Sequence, residues 1–165
     1  MANWCMNQLC ITGKTEDIKK LWDEIANKDT VFLSAIRPMP SDTPNEDTIR
    51  YDWRINNWGT KSDLLNCDEN GFTIENDDDA DTTEISGGFV SAWSPPLAAF
   101  SFLAEKLEGV SIEIYYWEPG SMFVGCWNSD EGDDYYDYGE CTSETLLDMV
   151  PEYLVERFDL QEEVE

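Results

Sequence analysis

Apolar residues fall along this chain with two periods, and the periods mark out its elements. Residues 4–12, WCMNQLCIT, read as a strand that ends at Gly13. Thr15 is placed to cap a helix over 16–27. There Ile18, Leu21, Trp22 and Ile25 recur at i, i+3, i+4 and i+7, the stripe a helix turns toward a core. Val31-Phe32-Leu33 reads as a short strand leading into Arg37-Pro38-Met39-Pro40, where two prolines enforce extended backbone. Residues 41–48 form a polar loop, and 49–56 a short helix or turn.

Asn70-Gly71 is a tight-turn signal between Leu64-Leu65 and Phe72-Thr73-Ile74. An acidic loop, 75–84, precedes a strand over 85–93 that Gly87-Gly88 is expected to bulge. Pro95-Pro96 opens a helix over 96–108, with Leu97, Phe100, Leu103, Ala104 and Leu107 on its apolar face and Gly109 as its stop. Val110, Ile112, Ile114 and Tyr116 then alternate with Ser111, Glu113, Tyr115 and Trp117, which predicts a half-buried strand. Glu118-Pro119-Gly120 turns it into a hairpin partner over Met122–Trp127. Residues 129–140 read as a loop. Thr142 or Ser143 caps a final helix that reaches about Leu160, interrupted or restarted at Pro151. This order predicts an α+β fold, an antiparallel sheet with helices on one face. Residues 1–128 form the domain, and 129–165 an acidic Tyr-rich loop and C-terminal helix packed on it.

Charge divides the chain unevenly. Residues 1–61 carry eight basic and nine acidic side chains, a balance of −1. Residues 62–165 carry only Lys106 and Arg157 against 27 acids, a balance of −25 out of a total of −26. A field of one sign repels nucleic acid and anionic membrane and attracts a basic surface. Hydrophobic residues still make up 41% of the chain, enough to fold. The first residues show no basic region followed by an apolar one, so no secretory signal is expected, and no apolar run is long enough to span a bilayer.

The sequence holds no His and five Cys without a Cys-x-x-Cys pair. A Ser-His-Asp or Cys-His triad is therefore excluded, and the thiols are expected to be reduced, buried and free of metal. Asp77, Asp79 and Asp81 have the first three ligand spacings of a calcium loop. Thr82 then stands in place of its glycine and Gly88 in place of its glutamate, so a solvated acidic loop is expected. No cofactor is expected.

Several short motifs together resemble the YubB ferredoxin-like-domain family, small proteins of bacteriophages and plasmids. They are Asn3-Trp4-Cys5, Asn7, Leu9 and Gly13; Pro38-Met39-Pro40; Asn57-Trp58-Gly59-Thr60-Lys61; Ala92-Trp93-Ser94-Pro95-Pro96; and Glu118 with Phe123-x-Gly125. The resemblance implies a ferredoxin-like sheet and a mobile-element origin, and it implies no particular activity. Read physically, Trp58 and Trp93 are expected to be buried, with Gly59 turning the chain between them; a pocket near Asn57, Lys61 and Glu118 is the alternative.

The candidate contact residues lie after 128. Asp130, Glu131, Asp133, Asp134, Tyr135, Tyr136 and Asp137 interleave carboxylates with phenols, a composition suited to an interface. Glu144, Asp148, Glu152 and Glu156 recur every four residues, and on one continuous helix they would form a row at roughly 6 Å steps, like a row of phosphates. The expected function is non-catalytic. An acidic protein of the bacterial cytoplasm would occupy the basic nucleic-acid groove of a host defence protein, such as a CRISPR effector, a restriction enzyme or a nuclease. Two alternatives are a small Mg-dependent carboxylate enzyme acting on nucleotides, and an accessory phage protein whose acidity only keeps it soluble.

Overall fold

The computed structural model describes residues 3–25, 32–64, 71–76 and 81–164. In chain order the elements are β1 (Trp4–Lys14), α1 (Thr15–Ile25), α2 (Phe32–Ile36), α3 (Asp47–Asn57), β2 (Thr73–Asn76), β3 (Thr82–Ala92) and α4 (Leu97–Lys106). Then follow β4 (Ser111–Glu118), β5 (Phe123–Asn128), β6 (Gly132–Asp137), α5 (Leu146–Met149), α6 (Glu152–Arg157) and α7 (Leu160–Glu163). The fold is α+β. Among the described residues, six strands form one antiparallel sheet in the order β2-β3-β1-β4-β5-β6. β3 and β4 are joined through α4 and run the same way on either side of β1, a split βαβ arrangement.

Alternation decides which side chain meets which layer. Cys5, Leu9 and Ile11 of β1 and Ile112, Ile114 and Tyr116 of β4 enter the main core with Ile18 and Leu21 of α1 and Phe100 and Leu103 of α4. Phe32, Phe72, Phe89 and Phe100 form an aromatic cluster there, with Phe32 and Phe72 stacked at 4.8 Å. The opposite side chains of β4, Tyr115 and Trp117, meet a second apolar cluster made by Val124, Tyr138, Leu146, Val150, Leu154 and Phe158. The C-terminal helices thus roof the other face of the sheet over β4, β5 and β6. The strand expected to be half buried is covered on both sides.

Four local expectations are corrected. Residues 32–36 form a helix instead of a strand, because the Asp63 carboxylate accepts the N–H groups of Leu33 and Ser34 at 2.7 and 2.8 Å and caps it. Gly87-Gly88 makes no bulge; the β1–β3 register is unbroken, and Gly87 is needed because Phe72 covers it, a Cβ there falling 2.9 Å from the ring. Residues 132–137, expected as loop, are strand β6. The final helix is interrupted before Pro151, at extended Val150, as expected, but it breaks a second time at Asp159, whose φ is +51°, and so forms three short helices. The Asn70 side of the expected 70–71 turn, and Asp77 and Asp79 of the acidic loop, lie outside the described residues.

Candidate functional site

The acidic residues sit on a scaffold that explains their placement. Gly132, at φ +97°, turns the chain out of β5, and β6 pairs with β5 from Phe123↔Asp137 to Asn128↔Gly132. The pairing gives β6 two faces. Asp133, Tyr135 and Asp137 lie on the side of Phe123 and Trp127, whereas Asp134 and Tyr136 lie on the side of the C-terminal helices. Asp130 and Glu131 occupy the turn between the strands and are exposed.

Not every carboxylate is free to meet a partner. The Tyr116 hydroxyl donates to Asp133 at 2.6 Å. To reach it, the Tyr116 ring passes over Gly125, where a Cβ would come within 2.3 Å of the hydroxyl. This accounts for the glycine of the Phe123-x-Gly125 motif. Partial burial raises the Asp133 carboxyl, with the Tyr116 bond opposing, and burial drives the Tyr116 phenol far up. Asp137 accepts the Gly139 N–H at 2.9 Å and holds the turn after β6. Tyr136 is partly buried in the second cluster, and Tyr135 packs on Phe123 at 5.3 Å between ring centres.

The expected four-residue row is not continuous. Glu144 stands in the turn before α5, Asp148 on α5, and Glu152 and Glu156 on α6, beyond the break at Val150 and Pro151. All four are exposed. Proline cannot donate to a helical ladder, so the row's geometry is lost while its charge remains on the surface. Glu152 and Glu156 instead join Asp159 and Glu162 around a groove of about 410 Å³ between α5, α6 and α7.

Tyr153 is a surface residue that composition did not single out. It is 46% exposed on α6 and packs edge-on to Tyr115 at 6.3 Å. Burial raises its phenol, and the charges of Asp134 and Glu113 push it the same way. Cys126 pairs with both Tyr115 and Asp134, so Asp134 lies on the face that α6 covers. Arg157 is the one cation there among the described residues. Its guanidinium lies 3.7 Å from the Tyr115 ring centre and donates to Gln8 Oε1 at 2.8 Å. The signal available in sequence was only its scarcity.

The motif residues converge at the other end of the sheet and are largely structural. Trp58 is buried and its indole N–H donates to the Arg37 carbonyl at 2.9 Å. Gly59, at φ +86°, lies against the start of α4, and the Ser94 hydroxyl donates to its carbonyl at 2.6 Å. Asn7 is buried and donates to Ser91 Oγ at 2.9 Å and the Cys5 carbonyl at 3.0 Å. Glu118, 1% exposed, accepts the N–H groups of Gly120 and Ser121 at 2.8 and 2.7 Å, so its carboxylate fixes the β4–β5 turn. The Asn57 amide donates to the Trp53 carbonyl. Trp93 departs from expectation: it is 47% exposed at φ +70°, its backbone N–H on the Asn3 carbonyl and Lys61 Nζ 4.3 Å from its ring centre.

The family model for the ferredoxin-like domain in Api92-like protein matches residues 71–163, more than half of the chain. The chain belongs to this family. Membership agrees with the ferredoxin-like sheet that the motif resemblance implied. The matched Api92-like segment runs through β6 and the C-terminal helices and crosses the boundary expected at 128/129. β1, which lies outside it, fills the place between β3 and β4. No curated protein and no solved structure matches the chain. Among the described residues, no group of three or more His, Cys, Asp or Glu is placed to hold a metal ion, and no helix is long and apolar enough to cross a membrane.

Proposed function

We propose that this Api92-like chain is a non-catalytic contact protein of a phage or plasmid. In this reading it works in the bacterial cytoplasm, where its acidic surface occupies the basic nucleic-acid groove of a host protein. The observation that carries the reading is the concentration of exposed carboxylates on β6 and α5–α7, where the single cation, Arg157, is already spent on Tyr115 and Gln8. Such a surface is steered to Lys- and Arg-lined grooves and repelled by nucleic acid itself. Asp134, Glu152 and Glu156 form its centre, because Asp134 lies in register with Tyr115, on which Tyr153 packs, and the two glutamates flank that tyrosine on α6. A defence nuclease or CRISPR effector is the kind of target a mobile element would block.

The test is capture of basic nucleic-acid-binding proteins from nuclease-treated bacterial lysate, followed by elution with salt or with DNA. Salt should release the target between 0.1 and 1 M, as the screening length falls from ~10 to ~3 Å, and DNA should compete. The Asp134→Asn/Glu152→Gln/Glu156→Gln variant should bind the captured target at least ten-fold more weakly, about 1.4 kcal/mol. Unchanged affinity in that variant, or no competition by DNA, refutes the reading.

A further inference from the structure

The helical roof covers only part of its face. Side chains of β1 at even positions share that face with their register partners: Met6 with Val90 and Trp117, Gln8 with Gly88 and Tyr115, Cys10 with Ser86 and Glu113, Thr12 with Glu84. The second cluster takes Tyr115 and Trp117 and stops there. Among the described residues, α6 reaches the β1–β3 half at Gln8, through Arg157, and beyond it Trp4 is 42%, Met6 42% and Val90 38% exposed. Three large apolar side chains in adjacent register positions are more than the scattered singles a surface ordinarily shows. Gly88, between them and the polar end, leaves bare backbone as a flat floor.

The opposite end of this half is acidic. Glu84 and Glu113 stand on either side of Cys10, and both add to the upward push that burial gives its thiol. Glu75 pairs with Glu84. Lys14 closes the far end and Arg157 stands at Gln8, two cations against these three carboxylates. The face is therefore graded, apolar at Trp4 and acidic at Glu84. Eight residues of strand separate Trp4 from Thr12, roughly 26 Å, a length that about 17 residues of α-helix match.

β1 is paired on both edges over Met6–Thr12 and β3 on its outer edge over Thr83–Ser86, and a segment laid across the face of these strands, not beside them, meets side chains in place of backbone partners and must satisfy its own polar groups. That requires a helix, as α5 and α6 show on the neighbouring half. A groove lined by Gln8, Tyr153, Glu156 and Arg157 marks where that roof ends. A second copy of this chain would bring acids against acids at a net charge of −26 each. We propose that the open half of the sheet, with Trp4, Met6 and Val90 at one end and Glu84 and Glu113 at the other, seats an amphipathic helix of a partner protein, apolar in its first turns and rich in Lys or Arg toward its other end.

The surface meets the acidic centre only at Glu156, beside Gln8, so Asp134 and Glu152 keep the failure of the two readings distinguishable. The probe is a fluorescein-labelled 18-residue synthetic helix, with leucines on one face of its first half and lysines on the same face of its second. A scrambled peptide of equal composition and helicity is the control. Fluorescence anisotropy at 0.15 M salt should show the patterned helix binding at least ten-fold tighter than the scrambled one. Met6→Lys/Val90→Lys should lose that preference, and Met6→Ser/Val90→Thr, which adds no charge, should reduce it several-fold with the thermal melt retained. Glu84→Gln/Glu113→Gln should weaken binding about five-fold and flatten its salt dependence. The Asp134→Asn/Glu152→Gln variant should bind within two-fold of the parent. Equal affinity for both peptides, no binding of the patterned helix, or indifference to the Met6 and Val90 changes overturns the proposal.

Discussion

Changing Gly125 to alanine should cost more than most single substitutions, and the structure says why. An added Cβ would lie 2.3 Å from the Tyr116 hydroxyl, 2.4 Å from its Cζ and 2.5 Å from the Asp134 carbonyl. None of the three can retreat freely. The Tyr116 ring is 1% exposed and wedged among Cys5, Phe123 and β5, and the carbonyl belongs to the β5–β6 ladder. Overpacking of this kind costs ~1–3 kcal/mol. Displacing the phenol also breaks its bond to the Asp133 carboxylate, and hydrogen bonds to charged groups are worth ~1.5–3 kcal/mol. Together the loss is about 3–5 kcal/mol, a large share of the ~5–15 kcal/mol that holds a domain folded. Urea unfolding of parent and Gly125→Ala at pH 7 would measure it. Hydrogen exchange should then show faster opening of the β6 amides at Gly132–Asp137 than of β1. Tyr116→Phe, which removes the hydroxyl and its bond but adds no clash, should lose only that bond, about 1.5–3 kcal/mol. A Gly125→Ala protein within 0.5 kcal/mol of the parent would refute the crossing of Tyr116 over β5 as the reason for this glycine.

Glu118→Gln should destabilise by about 2–3 kcal/mol, because the amide can accept only one of the two N–H groups that the carboxylate holds; urea midpoints of the two proteins test it, and equal midpoints count against the turn role. Alkaline stability should report Cys5. Burial pushes its thiol from 9.0 up to about 12, so its contribution is intact below pH 9 and is lost as pH rises toward 12, while the unfolded thiol ionises first. Between pH 8 and 10.5 the parent should lose about 2 kcal/mol more than Cys5→Ala, and equal losses would show that this thiol is not the group responsible.

The central sheet was legible where one period ran unbroken. Val110 to Trp117 alternates because β4 has neighbours on both edges and a core beneath it, and Ile18 and Leu21 recur because α1 lies on that core. The helix at 32–36 was hidden because its cap, Asp63, lies thirty residues away. β6 was read as loop because an edge strand buries little, so solvent tolerates carboxylates on both its faces and no apolar rhythm survives. The exposure of Trp93 depends on a φ of +70° and on contacts from Asn3 and Lys61, none of which local spacing encodes. The candidate site was legible as charge but not as shape. Composition located the acids after residue 61, whereas only strand pairing separates Asp134 from Asp133 and Asp137, and only the break at Val150 divides Asp148 from Glu152.

The seat of β1 between β3 and β4 sets the order in which this chain can mature. Thr12 pairs with Ser111 and Lys14 with Thr82, separations of 99 and 68 residues. β1 leaves a ribosome well before β3 and β4 and therefore waits before either of its edges is met. Until then Leu9 and Ile11 have no core to enter, and the unpaired backbone beside them is open to any passing strand. The hairpins β4–β5–β6 pair locally, but closing two such long loops before any hydrogen bond of β1 forms slows the search, and folding in milliseconds to seconds is the pace expected of so non-local a topology. Delayed seating of its first strand makes this chain most vulnerable to aggregation during its own synthesis.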